Sequence, residues 1–513
     1  MGKLRKIITS RFFITGFIIF LQFTQLLAVF IIINQYSTFV MILSYIFSCC
    51  VILYVINKEE IPEFKMPWLI IILLLPIVGA LIFILLNNNQ HVKNLKKVFE
   101  KTSAELLAYS RQVPAITWPA DEFPLYNKDA YLQANYIYNA TNMPCYANSN
   151  VKYYDTGEGF YSALCEELNK AEHFIFLEYF TIAKGFMWDS VYEILSMKVK
   201  QGVKVNIIYD DLDCMKSLPQ DYYKELSSEG IECIPFNQIR AVLSQIHNNR
   251  NHRKITVIDG KVGFTGGVNI ADEYINVRER FGHWKDSAVK VEGEAVKNLT
   301  MLFLSSWNMY SKTPLEYEPY LTVQPEKYTG CGVVVPYGDG PGAFYPDNIG
   351  RNVYLNMINS AKEYLYITTP YLICDYAIMD ALKTAAKKGV DVRIITPRIP
   401  DYKLVFTMTR SNYEPLIRDG VKIYEYVPGY MHAKNFISDD MFAVCGTINL
   451  DYRSLIHHYE CGVWMYNTNA VFDMRDDFLN TIELSELITA EKAKLSNSQK
   501  IVRNIIKVFS PLL

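Results

Sequence analysis

Neither sign of charge predominates: 51 basic residues stand against 53 acidic ones, for a formal net charge of −2. A free-standing nucleic-acid binder is usually clearly basic, so this balance argues against that class. None of the ten cysteines forms a C-x-x-C pair, which argues against a zinc or thioredoxin-like site. Cys49 and Cys50 fall in an apolar run, and Cys145, Cys165, Cys214, Cys233, Cys331, Cys374, Cys445 and Cys461 are scattered, as small core residues in a reducing compartment would be. Charged residues make up only 20% of the chain and hydrophobic residues 50%, so the composition is not that of a disordered protein. With 513 residues there is room for more than one domain.

Apolar character is concentrated in the first ninety residues. Runs at 12–33, 38–56 and 68–86 carry no charged side chain, and each is within range of the roughly 20 residues that cross a bilayer core. The first is too long, and lacks the small-residue cleavage site, for a secretory signal. Residues 1–90 are therefore expected to be a membrane anchor of two or three transmembrane helices. Lys3, Arg5, Lys6 and Arg11 place the N-terminus in the cytoplasm, and Lys93, Lys96, Lys97 and Lys101 do the same for the chain beyond the third run. Three crossings cannot satisfy both clusters, so either one run is re-entrant or interfacial or one cluster is overridden.

Beyond about residue 110 the pattern becomes α/β, with amphipathic helices alternating with short apolar strands, and it repeats. Asn169-Lys-Ala-Glu-His-Phe-Ile-Phe-Leu177 matches Asn359-Ser-Ala-Lys-Glu-Tyr-Leu-Tyr-Ile367. Lys200-Gln-Gly-Val-Lys-Val-Asn-Ile-Ile208 matches Lys387-Lys-Gly-Val-Asp-Val-Arg-Ile-Ile395. Each reads as a helix end followed by a strand. The expected organisation is a linker at 91–149, one half at 150–312, a connecting loop at 313–344, a second half at 345–480 and a helical tail at 481–513. The Pro/Gly-rich stretch Val334-Val-Pro-Tyr-Gly-Asp-Gly-Pro-Gly342 reads as loop. Duplicated halves commonly pack about a pseudo-twofold axis, with the groove between them as the active site.

Only eight histidines are present, and two of them open the same pattern. His252-Arg-Lys254-Ile-Thr-Val-Ile-Asp259 is followed by Gly266-Gly-Val-Asn269, and His432-Ala-Lys434-Asn-Phe-Ile-Ser-Asp439 by Gly446-Thr-Ile-Asn449. On a strand, residues two apart face the same way, so each copy offers an imidazole beside an ammonium. Two such sets with two Asn amides suit a phosphodiester: cations and amides hold the non-bridging oxygens, one imidazole attacks phosphorus, and the other protonates the departing alkoxide. Asp259 and Asp439 stand where turns end strands and suit a supporting role. Glu460, with Asp286 as its counterpart in the first copy, is the candidate for orienting the histidine bases.

The doubled H-x-K-x4-D-x6-G-x-x-N pattern resembles the phospholipase D superfamily. Asn249-Arg-Asn-His252 through Asn269-Ile-Ala-Asp-Glu-Tyr, Phe176-Leu-Glu-Tyr-Phe180, Gly282-His-Trp-Lys-Asp286 and Thr369-Pro-Tyr371 are similar to bacterial cardiolipin synthases in particular. The resemblance implies two phospholipase D-like half-domains and transfer of a phosphatidyl group between two phosphatidylglycerol molecules. It also implies a phosphatidyl-histidine on His252, with His432 as acid and then base, no metal or other cofactor, no nucleic-acid partner, and a multi-pass location in the bacterial plasma membrane. A phospholipase D-type hydrolase, a transferase to serine or ethanolamine, and a non-catalytic membrane scaffold are the alternatives.

Overall fold

The computed structural model describes residues 38–87, 90–112, 127–238, 248–323 and 332–509, with a few single positions besides. It divides into two compact units: residues 1–95, 237–248 and 498–513 form one, and residues 96–236 and 249–497 the other.

In the first unit, residues 38–56 lie in one helix, Thr38–Asn57. The run at 68–86 is broken: helix Pro62–Leu74 ends at Leu75 and helix Pro76–Asn87 folds back along it. Trp68 and Phe83 meet edge to face, 5.4 Å between ring centroids. A Cβ on Gly79 would fall 2.7 Å from the Ile71 carbonyl oxygen, so only glycine permits this return. Thirteen residues of helix span about 20 Å, short of the roughly 30 Å of a bilayer core, and residues 68–86 form a hairpin in place of one continuous helix. The run at 12–33 lies almost wholly outside the described residues. Among the described residues, no helix is long and apolar enough to cross a membrane.

The second unit is α/β and holds both halves. In the first half the strands are β1 (Ser149–Tyr154), β2 (Phe174–Tyr179), β3 (Lys204–Asp210), β4 (Glu232–Phe236), β5 (Lys254–Ile258), β6 (Val262–Gly266), β7 (His283–Lys285) and β8 (Ala288–Gly293). The second half supplies β9 (Val333–Asp339), β10 (Tyr364–Thr368), β11 (Leu372–Ile373), β12 (Asp391–Pro397), β13 (Lys422–Tyr426), β14 (Gly429–Met431), β15 (Asn435–Ser438), β16 (Phe442–Gly446), β17 (Leu450–Asp451), β18 (Glu460–Tyr466) and β19 (Ser485–Leu487). One sheet runs β1-β8-β6-β5-β2-β3-β4; the other runs β9-β18-β16-β15-β10-β12-β13 and adds β19. Strand for strand, the order is the same. The central strands of each sheet are apolar and buried because helices cover both faces. Phe176 stacks on Phe303 of helix Val296–Tyr310, and Tyr354 of helix Ile349–Ser360 stacks on Phe436, with centroids 4.2 and 3.8 Å apart.

The repeated Lys-x-Gly-Val segments end helices as expected. Gly202 and Gly389 adopt φ of +90° and +97°, which a side chain would resist. The stretch read as loop at 334–342 is instead mostly strand β9. It lies at the sheet edge beside β18, where Pro336 breaks no interior ladder. None of the nine cysteines among the described residues is in a disulfide.

Candidate active site

Each H-x-K-x4-D motif runs from a short extended entry into a hairpin, β5–β6 in the first half and β15–β16 in the second. The Asp at its end sits in the turn. Asp259 and Gly260 have φ of +52° and +65°, and Asp439 and Asp440 +57° and +56°, the mirror-image turn that suits a two-residue hairpin. The Asp259 carboxylate accepts from the backbone N–H groups of Glu172, His173 and Phe174, at 2.7–2.8 Å. Asp439 does the same for Lys362, Glu363 and Tyr364, at 2.8–3.0 Å. These aspartates clamp the start of the neighbouring central strand. They are not brought to the histidines; their carboxylates face the backbone of the neighbouring strand.

The other end of each hairpin carries the histidine, and here the halves cross. His252 Nδ1 lies 2.9 and 3.0 Å from the two carboxylate oxygens of Glu460, which belongs to the second half. His432 Nδ1 lies 2.6 Å from Asp286 Oδ2, which belongs to the first. The backbone follows suit: His252 N donates to the Tyr459 carbonyl at 2.9 Å, and His432 N to the Lys285 carbonyl at 2.7 Å. Strands β7 and β14 pair in parallel across the same junction. Each histidine is thus oriented by a residue pair of the opposite half, Tyr459–Glu460 at the start of β18 and Lys285–Asp286 at the end of β7.

Lys254 Nζ donates to the His252 carbonyl at 2.6 Å, and Lys434 Nζ donates to the His432 carbonyl. Burial brings these ammonium groups down to about 8 and about 7, though the site carboxylates oppose the change. Both imidazoles are held below their ordinary value. For His252 the causes are burial and then the positive charges of Lys254 and Lys434. For His432 burial and Lys434 lower it, Asp286 pulls the other way by charge and hydrogen bond, and the result is about 4. Burial pushes Glu460 up to about 7. Burial would raise Asp286 as well, but His432 and Lys434 outweigh it and hold that carboxyl below its usual range. At neutral pH Asp286 is therefore firmly ionised, while His252 and Glu460 are both driven toward their uncharged forms.

The two Asn residues differ. The Asn269 oxygen accepts from Thr181 N at 3.0 Å and its amide donates to the Tyr274 hydroxyl at 2.7 Å, so its polar groups serve the scaffold. Asn449 is also buried, but its oxygen has no partner. Surrounding residues that the motif does not include complete the site. Arg250 grips Asp210 with its guanidinium, and Asn251 Nδ2 donates to Glu178 at 2.6 Å, fixing the backbone that enters His252. Arg253 is fully buried and joins the halves through the carbonyls of Glu460 and Asp339. His432 is ringed by Trp284, Tyr274 and Tyr430, with centroids 5.2, 5.4 and 5.7 Å away. His252 has Phe180 at 4.9 Å and a third histidine, His458, at 5.7 Å. The doublet His457-His458 just before Glu460 was the available signal for that third ring.

The arrangement provides two buried, carboxylate-oriented imidazoles and two ammonium groups in one site, a set that performs displacement at phosphorus. Comparison with known proteins agrees. The family described as "Cardiolipin synthase, PLD-like domain" matches residues 164–307 and 354–482. An uncharacterized protein of Streptococcus mutans is 41% identical over 90% of this chain and 99% of its own. A cardiolipin synthase of Geobacillus sp. (strain WCH70) is 33% identical over 92% and 94%, respectively, and one of Geobacillus kaustophilus 34% over 92% and 93%. The solved phosphatidylserine synthase of Haemophilus influenzae shares the fold, with a TM-score of 0.56 at 15% identity over 75% of this chain and 98% of that one. From the matched halves and the full-length relatives together, the chain belongs to the phospholipase D-like cardiolipin synthase family.

Proposed function

We propose that the chain condenses two phosphatidylglycerol molecules into cardiolipin and glycerol, through a phosphatidyl-histidine on His252. The observation that carries the reading is the crossed pairing of His252 with Glu460 and His432 with Asp286 inside one buried site. It is the arrangement a pseudo-twofold axis between the halves produces. With Nδ1 held by Glu460, the neutral His252 ring keeps its Nε2 lone pair for phosphorus. That attack forms a P–N bond and breaks the P–O bond to glycerol, whose oxygen takes a proton from His432. A hydroxyl of the second lipid then attacks phosphorus and gives its proton to His432, while the P–N electron pair returns to His252. Lys254 and Lys434 offset the charge that builds on the non-bridging oxygens.

The division of labour follows from the surroundings. Of the two rings, His432 is the one whose proton a neighbouring carboxylate holds: the charge and hydrogen bond of Asp286 raise its pKa against the burial that brings it to about 4. His252 has no such support.

A membrane anchor belongs to the same reading. It rests on the charge-free apolar runs of the first ninety residues and the basic clusters that flank them. Purified protein incubated with radiolabelled phosphatidylglycerol, with products separated by thin-layer chromatography, tests the activity. Labelled cardiolipin with release of glycerol is expected; phosphatidic acid without cardiolipin overturns it.

A further inference from the structure

His458 is buried, 8% exposed, and neither ring nitrogen has a hydrogen-bond partner. Leaving two polar atoms of a buried ring unpaired is costly, so such a ring usually has a use. Its backbone is fixed, since His458 N donates to the Arg453 carbonyl at 2.8 Å. Its ring lies beside His252 at 5.7 Å, tilted 45°. Its Nδ1 is 3.8 Å from Glu460 Oε1, beyond hydrogen-bond reach, while that carboxylate is already bonded to His252. His458 is therefore not a second base held by Glu460.

The crossed architecture supplies an internal control. His458 precedes Glu460 by the same step as Trp284 precedes Asp286, and each ring packs on the histidine that the carboxylate orients. Equivalent positions thus hold an indole on the His432 side and an imidazole on the His252 side. A neutral imidazole offers one donor and one acceptor. Nearby Glu460 favours the proton on Nδ1, which leaves the Nε2 lone pair for an O–H donor. His252, His458 and Glu460 also bring their metal-ligand atoms within 4.8 Å of one another. Lys254 and Lys434 beside them repel a cation, and an uncharged hydroxyl meets no such penalty.

We infer that His458 binds a free hydroxyl of the glycerol headgroup, the neighbour of the hydroxyl that attacks phosphorus, and so selects a polyol acceptor over water. This rests on the phosphatidylglycerol reading. During transfer the attacking hydroxyl still gives its proton to His432; His458 gains and loses none, and acts by holding the acceptor.

The test uses the full-length protein in detergent micelles with labelled phosphatidylglycerol, alone or with added ethanol, which has no second hydroxyl. Wild type, His458→Asn and His458→Phe are compared for cardiolipin, phosphatidic acid and phosphatidylethanol. For His458→Phe the cardiolipin-to-phosphatidic acid ratio should fall at least about tenfold, since a site built for a hydroxyl discriminates strongly when it is paired. Phosphatidylethanol should form at near the wild-type rate. His458→Asn, which keeps a donor and an acceptor, should stay within about threefold of the wild-type ratio. An unchanged ratio in His458→Phe overturns the inference, as does an equal loss of cardiolipin and phosphatidylethanol in both variants. Absence of cardiolipin from the wild type would instead overturn the phosphatidylglycerol reading itself.

Discussion

His252 and His432 occupy matching places in matching sheets, and each takes its carboxylate from the other half. Their surroundings nevertheless diverge. His432 faces an ionised aspartate and three aromatic rings, whereas His252 faces a glutamate pushed up to about 7 and a histidine with no bonded partner. Duplication supplied two equivalent bases, and the residues outside the motif then made them unequal. A reaction that needs one nucleophile and one proton carrier needs that inequality.

The largest expected effects test the inequality directly. His252→Ala and His432→Ala should each cost at least about a thousandfold in turnover, because each removes a group that covalent or acid–base catalysis requires. The two should differ in what they accumulate. Mass spectrometry of the His432→Ala protein after incubation with substrate should find phosphatidyl on His252; an adduct on His432 in the His252→Ala protein would reverse the assignment. Next come the carboxylates. Asp286→Asn should reduce turnover by about a hundredfold and Glu460→Gln by only about tenfold, since only Asp286 stands fully ionised. Equal losses in steady-state rates would erase the distinction.

A third effect is on stability. His432 titrates at about 4 in the folded chain against an ordinary value of 6.5. Between those values the unfolded chain takes up a proton that the folded chain refuses, so this group costs stability as pH falls through the window, up to about 3 kcal/mol. Glu460, raised from 4.5 to about 7, works the other way over its own window. The melting temperature of His432→Gln should accordingly fall less than that of wild type between pH 6.5 and 4, as scanning calorimetry would show. The smallest effect on turnover belongs to Asp259→Ala and Asp439→Ala. Each should lower the melting temperature, at a cost of about 2–3 kcal/mol for the lost charged hydrogen bonds, and leave the turnover of folded protein within about threefold.

Much of this was legible in the sequence. The duplication, the α/β character and the histidine–lysine pairs follow from spacing alone, because strand and helix periods fix which residues share a face. The crossing was not legible. Asp286 and Glu460 can be matched to each other along the chain, but which histidine each serves depends on how the halves meet. The 334–342 stretch misled because proline and glycine mark loops in general, while an edge strand tolerates both. The run at 68–86 hid its break because Leu75-Pro76-Ile-Val-Gly79 is as apolar as its flanks, and hydropathy does not report a turn. His458 escaped because its significance lies in what it fails to bond.

The backbone bonds from His252 to Tyr459 and from His432 to Lys285 bear on how a lipid gets in. A hinge that parted the halves would tear both histidines from their carboxylates and unpair β7 from β14. The site therefore exists only while the seam between the halves is closed, and a headgroup has to reach it without parting them.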